Sequence, residues 1–202
     1  MKLYYSPGAC SLAVHIVLRE TGTPFELVKV DTAAHETQDG ANFYGINPKG
    51  QVPVLELDGG ERLTEGPILA QYVCDQARRL DLMPAANSMA RYRVLEWQNY
   101  ITSELHKSFT PLFGGSLDAS AKTLQSAVIR KKLGWVSAQL AGTDHLTGAA
   151  FTAADAYLFT VSRWTQFVNI DISDLSPLNR YLDRVASRSA VQAAMQAERL
   201  SA

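Results

Sequence analysis

The chain has 202 residues, of which 47% are hydrophobic and 19% charged, a profile that buries a full core without staples. Nineteen Lys and Arg against twenty Asp and Glu leave a formal net charge of -1, which offers no footprint for nucleic acid or an anionic membrane. No apolar run approaches the ~18 residues of a membrane span. Pro7-Gly8 also interrupts the N-terminus before a signal-peptide core can build, so the chain reads as cytoplasmic and unprocessed.

In chain order, residues 2–5 (KLYY) predict a short strand. Residues 11–22 (SLAVHIVLRETG) predict a helix that packs through Leu12, Ile16 and Val17 and stops at Gly22. Phe25–Val30 is β-like, so the first thirty residues form a β-α-β unit with a right-handed crossover. Residues 31–50 are polar, with one short helix around 41–46. VPVLEL is a strand, Asp58-Gly59-Gly60 a hairpin turn, and Arg62–Leu63 the return strand. Glu65-Gly66-Pro67 opens a helix, with Pro67 near its first position, where a missing N–H costs nothing. Residues 79–88 have linker composition, and strand signals end there. Helices are expected over about 89–113, 119–141, 153–168, 177–188 and 190–199. The fold class is therefore α/β plus all-α. A thioredoxin-like domain (1–80) leads through a linker (81–87) to a helical bundle (88–202).

Two cysteines, Cys10 and Cys74, form no C-x-x-C, and no second pair suggests zinc; no metal site is expected. A disulfide is not expected in a reducing compartment. Cys10 stands where a helix begins. It reads either as a small buried hydrophobe or as a thiol whose anion is favoured by open N–H groups and the helix dipole. Cys74 lies mid-helix and reads as packing. Val52-Pro53 is either a plain strand start or a cis bond that turns the Val52 N–H and C=O toward an extended ligand. Glu65 precedes a helix, either as a capping acid or as half of a site for a zwitterionic amino-acid end. On the long helix, Val94, Trp97, Ile101, Leu105 and Phe109 share an apolar face. Asn99, Ser103, His106 and Lys107 fall opposite, as a solvated stripe or a site. Thr152 and Asp155 approach a capping box and read as structural.

Five segments carry a wider pattern in fixed order: MKLYYSPGACSL, NPKGQVPVL, LTEGPILAQY, ELHKSF and FTAADAYLF. Together they resemble glutathione transferases, specifically the bacterial beta class, over essentially the whole chain. The resemblance implies a homodimer that uses glutathione (γ-Glu-Cys-Gly) as co-substrate and attacks a small hydrophobic electrophile. It places Cys10 beside the glutathione sulfur, with Tyr5 and Ser11 as neighbouring hydroxyls and His106 directed at the sulfur region. Ala9, Cys10, Val52 and Pro53 would meet the peptide backbone. Glu65 and Gly66 would hold the γ-glutamyl end, His35 the glycyl carboxylate. Lys107 would flank His106, while Asn99 and Ser103 would reach glutathione from the partner subunit. Phe109, Leu112, Phe113, Trp164 and Phe167 are candidates for the electrophile wall, and equally for core. Two positions depart from the family: serine is typical where Gly66 stands, and lysine is frequent where His35 stands. The first loses a hydroxyl contact and the second makes a contact pH-dependent.

The mechanism would be thiolate attack. Lowering a thiol pKa by two units takes about 2.7 kcal/mol of preferential anion stabilisation. The helix start, Cys10, Ser11 and His106 are the candidates to supply it. Two other readings stay open. One is a redox enzyme (thiol-disulfide or peroxide reductase, or reductive dehalogenase) cycling through a Cys10–glutathione mixed disulfide. The other is a non-catalytic ligand carrier or adaptor of the same fold.

Overall fold

The computed structural model describes residues 1–200. These divide into two compact units: Met1–Met83 together with the chain from Arg188 onward, and Pro84–Ser187.

The first unit is built on a five-stranded mixed sheet of order β3-β2-β1-β4-β5. Its strands are β1 (Lys2–Tyr5), β2 (Glu26–Asp31), β3 (Glu36–Thr37), β4 (Val54–Glu56) and β5 (Arg62–Thr64). β1 and β2 run parallel, with Leu3 opposite Leu27, and are joined through α1 (Ser11–Thr21). β4 pairs antiparallel with both β1 and β5. The hairpin between β4 and β5 turns at the predicted Asp58-Gly59-Gly60. β3 was not predicted: two residues are too short to carry alternation. The predicted helix at 41–46 is a single 3-10 turn, Phe43–Gly45, started by the Asn42 side chain accepting from Tyr44 N–H. α2 (Gly66–Gln76) packs on α1. Leu12, Ile16, Leu18, Leu69 and Val73 between them are buried, as expected where helices cover a partly parallel sheet.

The last helix, α9 (Ser189–Ala197), also packs on α1. Sequence order groups it with the helical bundle, but its contacts assign it to the first unit. Arg188 forks onto the Glu20 carboxylate at 2.6 and 3.1 Å. Glu198 reaches the buried His15. Both partners lie more than 160 positions earlier in the chain, so linear pattern could not reveal the attachment.

The second unit is all helical: α3 (Met89–Tyr100), α4 (Lys107–Phe113), α5 (Ala119–Gln139), α6 (Ala153–Ser162), α7 (Trp164–Phe167) and α8 (Ser176–Ala186). α6 is buried along its whole length, as a helix apolar on all sides must be. Asp155 anchors its start, accepting from the Thr152 N–H and hydroxyl, the Leu146 N–H and the Tyr181 hydroxyl. The predicted helix 153–168 breaks at Arg163 into α6 and α7, where the Thr165 hydroxyl takes the Ser162 carbonyl.

Between α3 and α4 the backbone widens into a π-helical segment, Ile101–His106. Its sequence gives a cause. The Thr102 hydroxyl donates to Gln98 C=O at 2.8 Å, and the Ser103 hydroxyl to Asn99 C=O at 3.0 Å. Both compete with the i+4 amides for those carbonyls. The wider turn re-phases every side chain that follows it.

Candidate functional site

The loop between β1 and α1 is held from several directions. The Ser11 hydroxyl accepts from Ser6 N–H and donates to Ser6 C=O, both at 3.2 Å, using both capacities of one hydroxyl. Ser11 is fully buried, so it shapes the loop from inside. Ala9 N–H closes a turn onto Ser6 C=O at 3.0 Å. Gly8, at φ 72°, donates its N–H to Glu198 at 2.9 Å. The other oxygen of that carboxylate lies 2.8 Å from His15 Nδ1, and Arg19 donates to His15 Nε2 at 3.3 Å. With Nε2 accepting, His15 donates from Nδ1. Tyr5 is buried, its ring 6.3 Å from His15. Burial, and secondarily the Glu198 charge, raise its hydroxyl above the usual phenol range, so it stays an O–H donor.

This frame presents Cys10 as the residue preceding α1, half-buried, with its Sγ 3.3 Å from Val52 C=O. Cys74 is 1% exposed inside α2. No disulfide joins the two. Val52–Pro53 is cis. The turn before it is braced by Asn47, whose side chain accepts from Lys49 N–H at 3.2 Å and donates to Gln51 C=O at 2.6 Å. Gly50, at φ 64°, sits against the His35–Tyr44 ring pair, whose centroids are 4.4 Å apart. His35 Nδ1 is buried there with no hydrogen-bond partner. Glu65 precedes α2 at φ 70°. Its carboxylate does not cap the helix, as one reading had it. It accepts instead from Lys49 Nζ at 2.5 Å, and Lys49 also donates to the Thr64 hydroxyl at 2.9 Å.

In the helical unit, the π segment splits the predicted polar stripe. Asn99, Ser103 and Lys107 are exposed. His106 instead turns inward, with Nδ1 2.7 Å from the Tyr157 hydroxyl and its ring edge-on to Trp164 at 4.8 Å. Trp164 is the hub of the apolar cluster, meeting Phe109 and Phe113 edge-to-face at 5.6 Å each. Phe109 is fully buried, Leu112 half-buried, and Phe113 51% exposed. Phe109 is thus core behind a wall that Phe113 presents. Phe167 lies 57% exposed on α7 and makes none of these ring contacts. Trp97, predicted on the buried face, is only half-buried and clusters with Tyr100 and Trp135.

Comparison with known proteins matches residues 1–75 to the glutathione S-transferase N-terminal domain and residues 119–184 to its C-terminal domain. Glutathione S-transferase GstA of Escherichia coli O157:H7 is 46% identical over 200 residues, spanning 99% of this chain and 100% of that protein. The chain belongs to the glutathione S-transferase family. A bacterial beta-class transferase from Sphingomonas chungbukensis superposes with a TM-score of 0.96 at 43% identity, over 100% of both chains. A sphingomonad transferase complexed with glutathione superposes at 0.95 with 45% identity, again over 100% of both. This transferase is therefore of the bacterial beta class, and its thioredoxin-like and helical domains are those of the family.

Three residues of the transferase escaped the sequence reading. Tyr157 lay inside a segment read only as structural. His15 drew no role, although Arg19 four residues on is a local signal. Lys49 sat within a quoted motif but drew no role. No helix among the described residues is long and apolar enough to cross a membrane. Among the described residues, no group of three or more His, Cys, Asp or Glu could hold a metal.

Proposed function

We propose that this glutathione transferase joins the sulfur of glutathione to small hydrophobic electrophiles, with glutathione lying on the first unit beside Cys10. The observation that carries the reading is the placement of Cys10 Sγ at the start of α1, 3.3 Å from Val52 C=O and next to a cis proline. An extended cysteinyl unit pairing with Val52 would lay its sulfur beside Cys10. Glu65 and the open N–H of Gly66 then take the γ-glutamyl end, and the His35 turn lies toward the glycyl end. In the reaction the glutathione thiol loses its proton to solvent, its sulfur bonds to the electrophilic carbon, and the leaving group departs with the electron pair. The positive end of the α1 dipole, with Cys10 at its start, favours the thiolate. Phe113, half-exposed against the buried Trp164, is the apolar surface assigned to the electrophile. When Tyr157 donates to His106 Nδ1, the imidazole carries its proton on Nε2. A homodimer is proposed as well, with the exposed Asn99 and Ser103 facing the partner.

Cys10 itself favours a second, redox reading, since it is half-buried while Cys74 is enclosed. Its thiolate would attack oxidised glutathione, breaking the S–S bond, releasing one glutathione thiolate and leaving a mixed disulfide. A second glutathione thiolate would then resolve it. One experiment separates the readings: conjugation of glutathione to an activated aryl halide, and intact mass after incubation with oxidised glutathione, for wild type and Cys10→Ala. Conjugation by both proteins, with an adduct of one glutathione on wild type alone, supports transfer as the main activity and confines Cys10 to redox work. Absence of glutathione-dependent conjugation by wild type overturns the proposal.

A further inference from the structure

Position 66 raises a specific problem. A γ-glutamyl end carries an ammonium and a carboxylate on one carbon. Glu65 suits the ammonium and repels the carboxylate. The family resemblance implies a serine hydroxyl at the next position, but Gly66 has none. Its place is not filled by another group: a Cβ built on Gly66 would meet nothing closer than Val14 Cγ2 at 4.0 Å. With only a backbone N–H at the start of α2, the carboxylate is left short of a partner.

Lys49 answers that deficit. Its ammonium lies 2.5 Å from Glu65 Oε1 and 2.9 Å from Thr64 Oγ1, immediately before the α2 start. It reaches there from a turn fixed at several points. Asn47 binds both sides of the turn, and Gly50 is pressed against the His35–Tyr44 ring pair. The side chains of Lys49 and Glu65 are 47% and 64% exposed, so their mutual attraction is weak and opens readily to a ligand. A zwitterion inserted between them gives alternating charge: Glu65 carboxylate, ligand ammonium, ligand carboxylate, Lys49 ammonium. Without Lys49 the site carries net negative charge and discriminates against the carboxylate.

We propose that Lys49 binds the α-carboxylate of the γ-glutamyl end and takes over the work of the hydroxyl that Gly66 lacks. The proposal rests on the glutathione reading above, and deepens it.

The test is calorimetric titration of wild type and Lys49→Met with three ligands. These are glutathione, glutaryl-Cys-Gly (carboxylate without ammonium) and 4-aminobutyryl-Cys-Gly (ammonium without carboxylate). Lys49→Met should raise Kd for the first two about five-fold, equivalent to ~1 kcal/mol, and leave the third unchanged or tighter. Lys49→Arg should restore most of the loss. Gly66→Ser should improve glutathione binding more in Lys49→Met than in wild type, because hydroxyl and ammonium serve the same carboxylate. Glutathione binding equal to or tighter than wild type in Lys49→Met would overturn the proposal, making Lys49 a bystander or a competitor for Glu65. So would an equal loss across all three ligands. Wild type binding none of them would overturn the glutathione reading itself, and with it this assignment.

Discussion

Replacing Glu198 by alanine should loosen the Cys10 loop from the far end of the chain. The side chain is fully enclosed and accepts from two donors, His15 Nδ1 at 2.8 Å and Gly8 N–H at 2.9 Å. His15 is fully buried, so its donor bears the whole penalty of a lost partner, about 1–3 kcal/mol. Gly8 is half-buried and regains water, which limits its share to about 1 kcal/mol. The sum is about 3 kcal/mol, and for a chain of this size that lowers Tm by about 6–12 °C. Glu198→Gln keeps one good acceptor and should lose about half as much. Arg188 still forks onto Glu20, so α9 stays attached and the opening is local. Alkylation followed by intact mass tests this, because the chain carries its own control: Cys10 is half-buried and Cys74 is enclosed. In Glu198→Ala, Cys10 should alkylate faster while Cys74 stays protected. A variant that melts within about 1 °C of wild type and alkylates at the wild-type rate would refute the reasoning. Joint acceleration of both cysteines would mean global unfolding rather than loop release.

Gly50→Ala should cost more than Gly60→Ala. Both backbones lie at positive φ, 64° and 86°, but a Cβ at Gly50 would stand 2.7 Å from Tyr44 Cε1 and 2.9 Å from His35 Nδ1, whereas Gly60 has nothing within 4 Å. Gly60→Ala should lose about 1–2 kcal/mol in denaturant melts and Gly50→Ala measurably more, with weaker glutathione binding; equal losses would contradict the packing argument. Arg62→Ala should narrow the acid range of stability. The Arg62 guanidinium holds the Glu56 carboxyl below the usual carboxylate range, against partial burial that pushes it up. A depressed carboxyl contributes stability that is present above its unfolded pKa of about 4.3 and is lost as pH falls through its native value. The Tm gap between wild type and Arg62→Ala should therefore be widest near neutrality and shrink below about pH 4. Arg62 bonds to the Gly45 and Ile46 carbonyls should leave a remainder independent of pH. A gap constant from pH 3 to 7 would sink the assignment.

Most of the architecture was legible because it follows local rules. A short apolar run marked β1, alternation marked β4, the Asp58-Gly59-Gly60 turn marked β5 as its return strand, Pro67 marked the start of α2, and apolar periodicity marked the long helices. What was not legible depends on pairs distant in the chain or on competition within a helix. The attachment of α9 rests on His15–Glu198 and Arg188–Glu20, which leave no periodic trace. The rotation of His106 out of its predicted stripe rests on Thr102 and Ser103 bonding back to Gln98 and Asn99. Hydroxyl residues in sequence were a signal, but their rotamers decide the outcome. Lys49 escaped because a lysine in a turn is normally solvated; only the distance to Glu65 singles it out.

The two units meet the demands of their chemistry by different means. A thiol site tolerates little drift of the sulfur, and the sulfur of Cys10 sits on a loop, the least rigid kind of element. The fold compensates by tying that loop to three separate elements: Ser11 binds it to α1, Glu198 to the end of α9, and Val52 to the turn before β4. Each tie uses a hydrogen bond, and the Val52 tie alone uses groups that the proposed glutathione contacts would also need, the Cys10 thiol and the Val52 carbonyl. That exception is informative. Cys10 donates to the same carbonyl that an extended cysteinyl ligand would use, and a carbonyl oxygen has two lone pairs, so both can share it. Sharing would bring a second sulfur alongside Cys10, the geometry that mixed-disulfide chemistry requires. His106 is fixed by the Tyr157 hydroxyl and the Trp164 ring, so its orientation does not depend on a ligand.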